Sequence, residues 1–162
     1  MPVVILDADF LSSFLKIGRL ELVREFYGGQ ILCIPPAVYR EIAQTELLTQ
    51  LVAVTWIQIA TPDAMILSSL THDDELSGLG AGERESIALA LAQPDAVLMM
   101  SDNKARRVAR RLGVAAVNIP AFLLACKMAG RVDRETLEAI IQGLRDKDYY
   151  EFRRDILTAL LA

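Results

Sequence analysis

The amino-acid sequence predicts an α/β fold in which a parallel sheet carries helices on both faces. Short apolar runs rich in β-branched residues recur along the chain, and a stretch with helical spacing follows nearly every one. The chain has 162 residues, 53% hydrophobic and 23% charged, which is one domain's length with enough apolar surface for a full core. A single domain over residues 1–162 is expected.

The elements follow in order. Val3 to Leu6 is an apolar run ending at Asp7 and reads as a buried strand. Ala8 to Lys16 places Phe10, Leu11, Phe14 and Leu15 at helical spacing, and a second helix spans Leu20 to Phe26 before Gly28-Gly29 breaks it. Ile31 to Ile34 is the second strand, and Pro36 suits the first position of a helix running through Ile42. Leu47 to Val54 reads as helix, Trp56 to Ile59 as strand and Asp63 to Leu70 as helix. Thr71 to Gly82 is acidic and punctuated by glycine, with His72 in a polar loop. A strongly apolar helix then runs from Glu83 to Ala92, and Pro94-Asp95 turns into a strand at Val97 to Met100. A basic helix spans Asn103 to Leu112 and stops at Gly113. Val114 to Val117 is the last strand, and two or three helices complete the chain.

Composition removes several chemistries. The one histidine, His72, all but excludes zinc sites built on several histidines. Cys33 and Cys126 form no C-x-x-C pair and sit in apolar surroundings, so buried reduced thiols are expected. No apolar run reaches the roughly 18 residues of a bilayer span. No basic start with an apolar stretch and a small-residue cleavage site is visible, so a cytoplasmic protein with no membrane partner is expected. The net charge is −4, but it is unevenly spread. Residues 101–131 hold seven basic side chains against Asp102, a local net of +6, leaving −10 elsewhere. A basic patch on an acidic protein is a footprint for a polyanion.

Acid–base or metal chemistry must therefore rest on carboxylates. In open parallel sheets, sites form beyond the carboxyl ends of the strands. Two apolar strands here end at or next to an aspartate, V-V-I-L-Asp7 and V-L-M-M-S-Asp102. Each aspartate could instead serve as a helix N-cap. Glu41 flanks the apolar stripe of the helix after the second strand, and Glu83 opens the apolar helix after Leu79-Gly80-Ala81-Gly82. Glu85, two residues on, faces another side and is expected to be solvent-exposed. Four carboxylates on one rim would repel unless a divalent cation bound them. Oxygen ligands suit Mg2+ or Mn2+, ions that support phosphodiester cleavage.

Four segments resemble the PIN-domain nucleases: I-L-D-A-D-F-L, I-P-P-A-V-Y-R-E-I, L-G-A-G-E-R-E-S-I-A-L-A-L-A and V-L-M-M-S-D-N-K-A-R-R-V-A-R-R-L-G-V. They occur in the family's order over about residues 3 to 118. The resemblance implies a three-layer α/β/α fold and a Mg2+- or Mn2+-dependent ribonuclease. It makes Asp7, Glu41, Glu83 and Asp102 the catalytic acids, with Asp7, Glu83 and Asp102 as metal ligands. Asp9, Ser101 and Glu85 become supporting residues, and Glu83 is preferred to Glu85 as the third acid because it directly follows the glycine loop. Ala8 stands where the family commonly has Thr, and the third acid is a Glu behind two glycines. The resemblance also implies an RNA substrate, a homodimer and, because many small members are VapC-type toxins, an antitoxin protein as partner. Lys104, Arg106, Arg107, Arg110 and Arg111 are the candidate RNA-binding residues.

Two rivals use the same residues. Asp7 and Asp9 after an apolar strand also resemble the opening of haloacid-dehalogenase-type phosphatases, but Leu11 stands where that family has Thr or Val. A PIN-like module that binds RNA or protein without cutting would have no reason to keep four mutually repelling acids. Tyr149, Tyr150, Phe152, Arg153 and Arg154 suit either nucleic-acid contact or packing of a C-terminal helix.

Overall fold

The computed structural model describes residues 3–162. Its five strands are β1 (Val4–Leu6), β2 (Leu32–Ile34), β3 (Ile57–Ile59), β4 (Val97–Met99) and β5 (Ala115–Val117). All four pairings are parallel, in the order β3-β2-β1-β4-β5. Around them lie α1 (Ala8–Lys16), α2 (Leu20–Phe26), α3 (Pro36–Ala43), α4 (Leu48–Val52), α5 (Ala64–Leu70) and α6 (Asp74–Ser77). The chain continues through α7 (Ala81–Leu91), α8 (Asn103–Arg111), α9 (Ile119–Met128), α10 (Arg134–Asp148) and α11 (Arg154–Leu161).

Alternation along each strand divides the core into two apolar layers, giving the three-layer α/β/α architecture. Val4, Leu6, Leu32, Ile34 and Met99 face one way, onto Phe10 and Phe14 of α1 and Phe122 of α9. Phe10 stacks on Phe14 at 4.9 Å between centroids, and both meet Phe122 edge-on at 6.0 and 5.7 Å. Ile5, Leu98, Met100 and Ala116 face the other way, onto Leu76, Ile87 and Val108. Among the described residues, no helix is long and apolar enough to cross a membrane.

The expected elements are present, mostly with ends trimmed by a residue or two. Two differences have clear local causes. The acidic stretch contains a short helix, α6, because Asp73 caps it by accepting the Glu75 and Leu76 N–H groups at 3.0 and 3.1 Å. Helix α7 starts at Ala81 rather than Glu83, with Gly80 as its N-cap. Cys126 is buried as expected, whereas Cys33 is only partly buried; both are free thiols.

Candidate active site

Strand order creates the site. The chain adds β2 and β3 on one side of β1, then crosses back to lay β4 and β5 on the other. The helices that follow β1 and β4 consequently leave on opposite faces: α1 packs with one apolar layer, α8 with the other. A crevice opens between them at the carboxyl edge, where such a reversal places a ligand site. The paired strands run Ile5 beside Leu98 and Leu6 beside Met99, and the Asp7 N–H donates to the Met99 carbonyl at 2.9 Å. Asp7 and Asp102 are thereby brought to the same rim.

A cavity of about 210 Å³ occupies that crevice, lined by Asp7, Ala8, Asp9, Glu41, Gly80, Gly82, Glu83 and Asp102. Five carboxylates line it, and no basic side chain among the described residues does. Asp7 lies at its floor, 3% exposed, and Ser86 Oγ donates a long 3.4 Å hydrogen bond to Asp7 Oδ1. Asp102 accepts the Ala105 N–H on Oδ1 at 2.8 Å, so one oxygen caps α8. Glu83 sits in the first turn of α7, and its Oε1 accepts the Gly80 N–H at 3.1 Å. Glu41 comes from α3, which packs on α7 through Val38 and Gly82. A Cβ at Gly82 would lie 3.3 Å from Val38 Cγ2 and 3.9 Å from both Asp7 Oδ1 and Glu41 Oε1. The absent side chain leaves the space between those two acids open.

The crowding shows in the acidities. Burial, and then the charge of Glu83, pushes the Asp7 carboxyl up to about 7, against the smaller opposite pull of the Ala8 N–H. Burial also raises Glu83, with Asp102, Asp9 and Glu41 adding to it, and raises Glu41 with help from Asp9. An all-oxygen donor set carrying excess negative charge fits a hard divalent cation such as Mg2+ or Mn2+. Among the described residues, no three of these groups are already close enough to chelate one ion. The acids share a cavity but are not drawn together around a point.

A family model described as a PIN domain matches residues 3–161. The chain belongs to the PIN-domain family. No curated protein matches it. PIN domains are generally nucleases and usually depend on a divalent metal.

The supporting residues of this PIN domain divide. Asp9 lines the cavity. Ser101 precedes Asp102 with its hydroxyl buried and, among the described residues, without a hydrogen-bond partner. Glu85 does not line the cavity, nor is it solvent-exposed as expected. Its Oε1 accepts the Ala37 N–H at 3.2 Å, its Oε2 lies 3.7 Å from Arg40, and its side chain is 15% exposed. It satisfies the N-terminus of α3 and ties that helix to α7.

The basic helix of this PIN domain is also less uniform than its sequence. Arg111 is bound to Asp73 at 2.7 Å and Glu75 at 3.1 Å. Arg106 donates to the Ser101 carbonyl and to Asn103, and Arg110 donates to the Ala116 carbonyl at 3.0 Å. Lys104 and Arg107 are exposed and make no ion pair among the described residues. Ser86 was given no role from the sequence, and Gly82 figured there only as part of the loop before Glu83. The signal for Ser86 was its place one turn after Glu83, on the same side of the helix.

Proposed function

We propose that this PIN domain, as a single domain over residues 1–162, is a Mg2+- or Mn2+-dependent ribonuclease that hydrolyses RNA phosphodiester bonds. The observation that carries the proposal is the cavity at the carboxyl edge, lined by five carboxylates and, among the described residues, by no positive side chain. Asp7, Glu83 and Asp102 would hold the ion, which when bound supplies water activation and charge neutralisation at phosphorus. Asp7 is held at the cavity floor by burial and by Ser86. Asp102 keeps one oxygen for the cap of α8 and offers the other to the cavity. Glu41, which also lines the cavity, would accept the proton that the attacking water loses as the new P–O bond forms and the bond from phosphorus to the leaving ribose oxygen breaks, that oxygen taking a proton from solvent. Lys104 and Arg107 hold the RNA backbone beside the site.

Cleavage of a mixed-sequence RNA in Mn2+ and in EDTA tests this directly. Activity should require the ion, and Asp7→Asn or Asp102→Asn should abolish it with the fold intact. Undiminished cleavage in EDTA refutes the metal mechanism. Absence of cleavage, together with no Mn2+-dependent rise in thermal stability, would leave a non-catalytic binding module. The phosphatase alternative loses its support, because family membership lies elsewhere. Homodimeric assembly, a cytoplasmic location and a toxin role with an antitoxin partner complete the proposal; sedimentation and a search of the neighbouring reading frames test them.

A further inference from the structure

The turn between α10 and α11 does not line the cavity, yet it is fastened to α1, which flanks it. Asp148, at the end of α10, accepts the Ser13 hydroxyl on Oδ2 and the Lys16 ammonium on Oδ1 at 2.8 Å. Ser13 and Lys16 belong to α1, the helix that carries Asp9, and the Ser13 hydroxyl lies 3.0 Å from the Asp9 carbonyl oxygen. On the other side, the Tyr150 hydroxyl lies within the field of Arg106. Arg106 in turn donates to Ser101 and Asn103, the residues on either side of Asp102. The Tyr150 ring packs against Phe152, 4.9 Å between centroids.

Between these two anchored residues stands Tyr149. It is 85% exposed, and its φ of 53° makes it the one non-glycine residue in the left-handed region among those described. The other left-handed positions, Gly18, Gly28, Gly29, Gly113 and Gly130, are all glycine. Both the Tyr149 and Tyr150 N–H groups reach the Leu144 carbonyl, so the left-handed turn closes α10 as a helix-ending glycine would. Glycine would close it with less strain. An aromatic ring there buries almost nothing, so folding does not account for it.

We propose that Tyr149 is a stacking platform for an unpaired base of the RNA whose phosphate enters the carboxylate cavity. This rests on the ribonuclease reading and narrows its substrate to single-stranded RNA. A ring open to solvent, carried on a turn whose backbone is held by the Leu144 carbonyl, offers its face to any base, whereas bases within a duplex are already stacked.

The test compares wild type, Tyr149→Ala, Tyr149→Phe and Tyr149→Gly on a single-stranded RNA and on the same oligonucleotide carrying abasic units. Tyr149→Ala should raise KM for the intact RNA about tenfold with kcat within about twofold, and should leave KM for the abasic one unchanged. Tyr149→Phe should behave as wild type. Tyr149→Gly should lose RNA affinity as Ala does while raising Tm, which separates stacking from a structural role. Equal KM for wild type and Tyr149→Ala overturns the platform and leaves the nuclease reading standing. If wild type cuts no RNA, that reading fails separately, and fluorescence-anisotropy binding of the same RNA decides the platform. A change in sedimentation rather than in RNA affinity would show a self-association surface instead and overturn the proposal.

Discussion

Asp7 and Asp102 follow neighbouring parallel strands and precede a helix each, yet their carboxylates are used differently. Asp102 Oδ1 caps α8 through the Ala105 N–H at 2.8 Å, whereas Asp7 makes no side-chain cap bond to α1 and instead accepts Ser86 Oγ. The cap explains Asp102 in part without any ligand. A long bond from Ser86 and the pull of the Ala8 N–H are weak compensation for the burial of Asp7, which makes it the more informative of the two.

The stability of the metal-free protein should fall as pH rises. The folded-state value for Asp7, about 7, lies above the ordinary 3.8 of the unfolded chain. The unfolded state therefore releases its proton first, and stability is lost between those values and then levels off. At roughly 1.4 kcal/mol per unit, the full effect is on the order of 4 kcal/mol. In EDTA, Asp7→Asn should lack most of this loss and be more stable than wild type at pH 8, with little difference near pH 4. Urea melts across that range would refute it by giving parallel curves.

Divalent ions should offset the same repulsion. Mn2+ at a hundred times its Kd should stabilise wild type by about 2.7 kcal/mol. The gain should shrink as pH drops through the range where Asp7, Glu83 and Glu41 take up protons. Thermal shifts at pH 8 and pH 5 make the comparison, and an equal shift at both would place the ion elsewhere.

Gly82→Ala separates packing from ion binding. Alanine favours a helix interior by up to about 1 kcal/mol, while the new Cβ, 3.3 Å from Val38 Cγ2, crowds the neighbouring helix. Overall stability should change by less than about 1 kcal/mol. The same methyl narrows the gap between Asp7 and Glu41, so Mn2+ affinity should drop about tenfold. Isothermal titration with Mn2+ reads this directly.

The basic side chains should not contribute equally. Lys104→Ala with Arg107→Ala should raise KM for RNA several-fold and flatten its salt dependence by about two counterions. Arg111→Ala should leave KM nearly unchanged, because its guanidinium already serves Asp73 and Glu75. A larger effect from Arg111 than from the pair would reverse the assignment.

Local pattern was enough to place most elements. An apolar β-branched run reads as a strand whatever surrounds it, and the caps, glycines and Pro36 mark where helices begin and end. The aspartates after β1 and β4 could be singled out for the same reason, since both lie just beyond such runs. Glu83 and Glu85 could not be told apart this way. Helix α7 is apolar around most of its circumference, so no stripe reveals which side meets α3, and Glu85 turned out to face the α3 N-terminus.

The remaining features depend on residues distant in sequence. That β1 pairs with β4, and so brings Asp7 beside Asp102, is decided by strand order, which periodicity within a segment does not encode. The partnership of Arg111 with Asp73 joins α8 to the cap of α6, and that of Asp148 with Ser13 joins opposite ends of the chain. The burial that pushes Asp7 to about 7 exists only when α1, α3 and α7 close around it. Backbone propensity acts over a few neighbouring residues and can be read from them. Charge, desolvation and hydrogen bonding act through space, and they take their values only once the chain has packed.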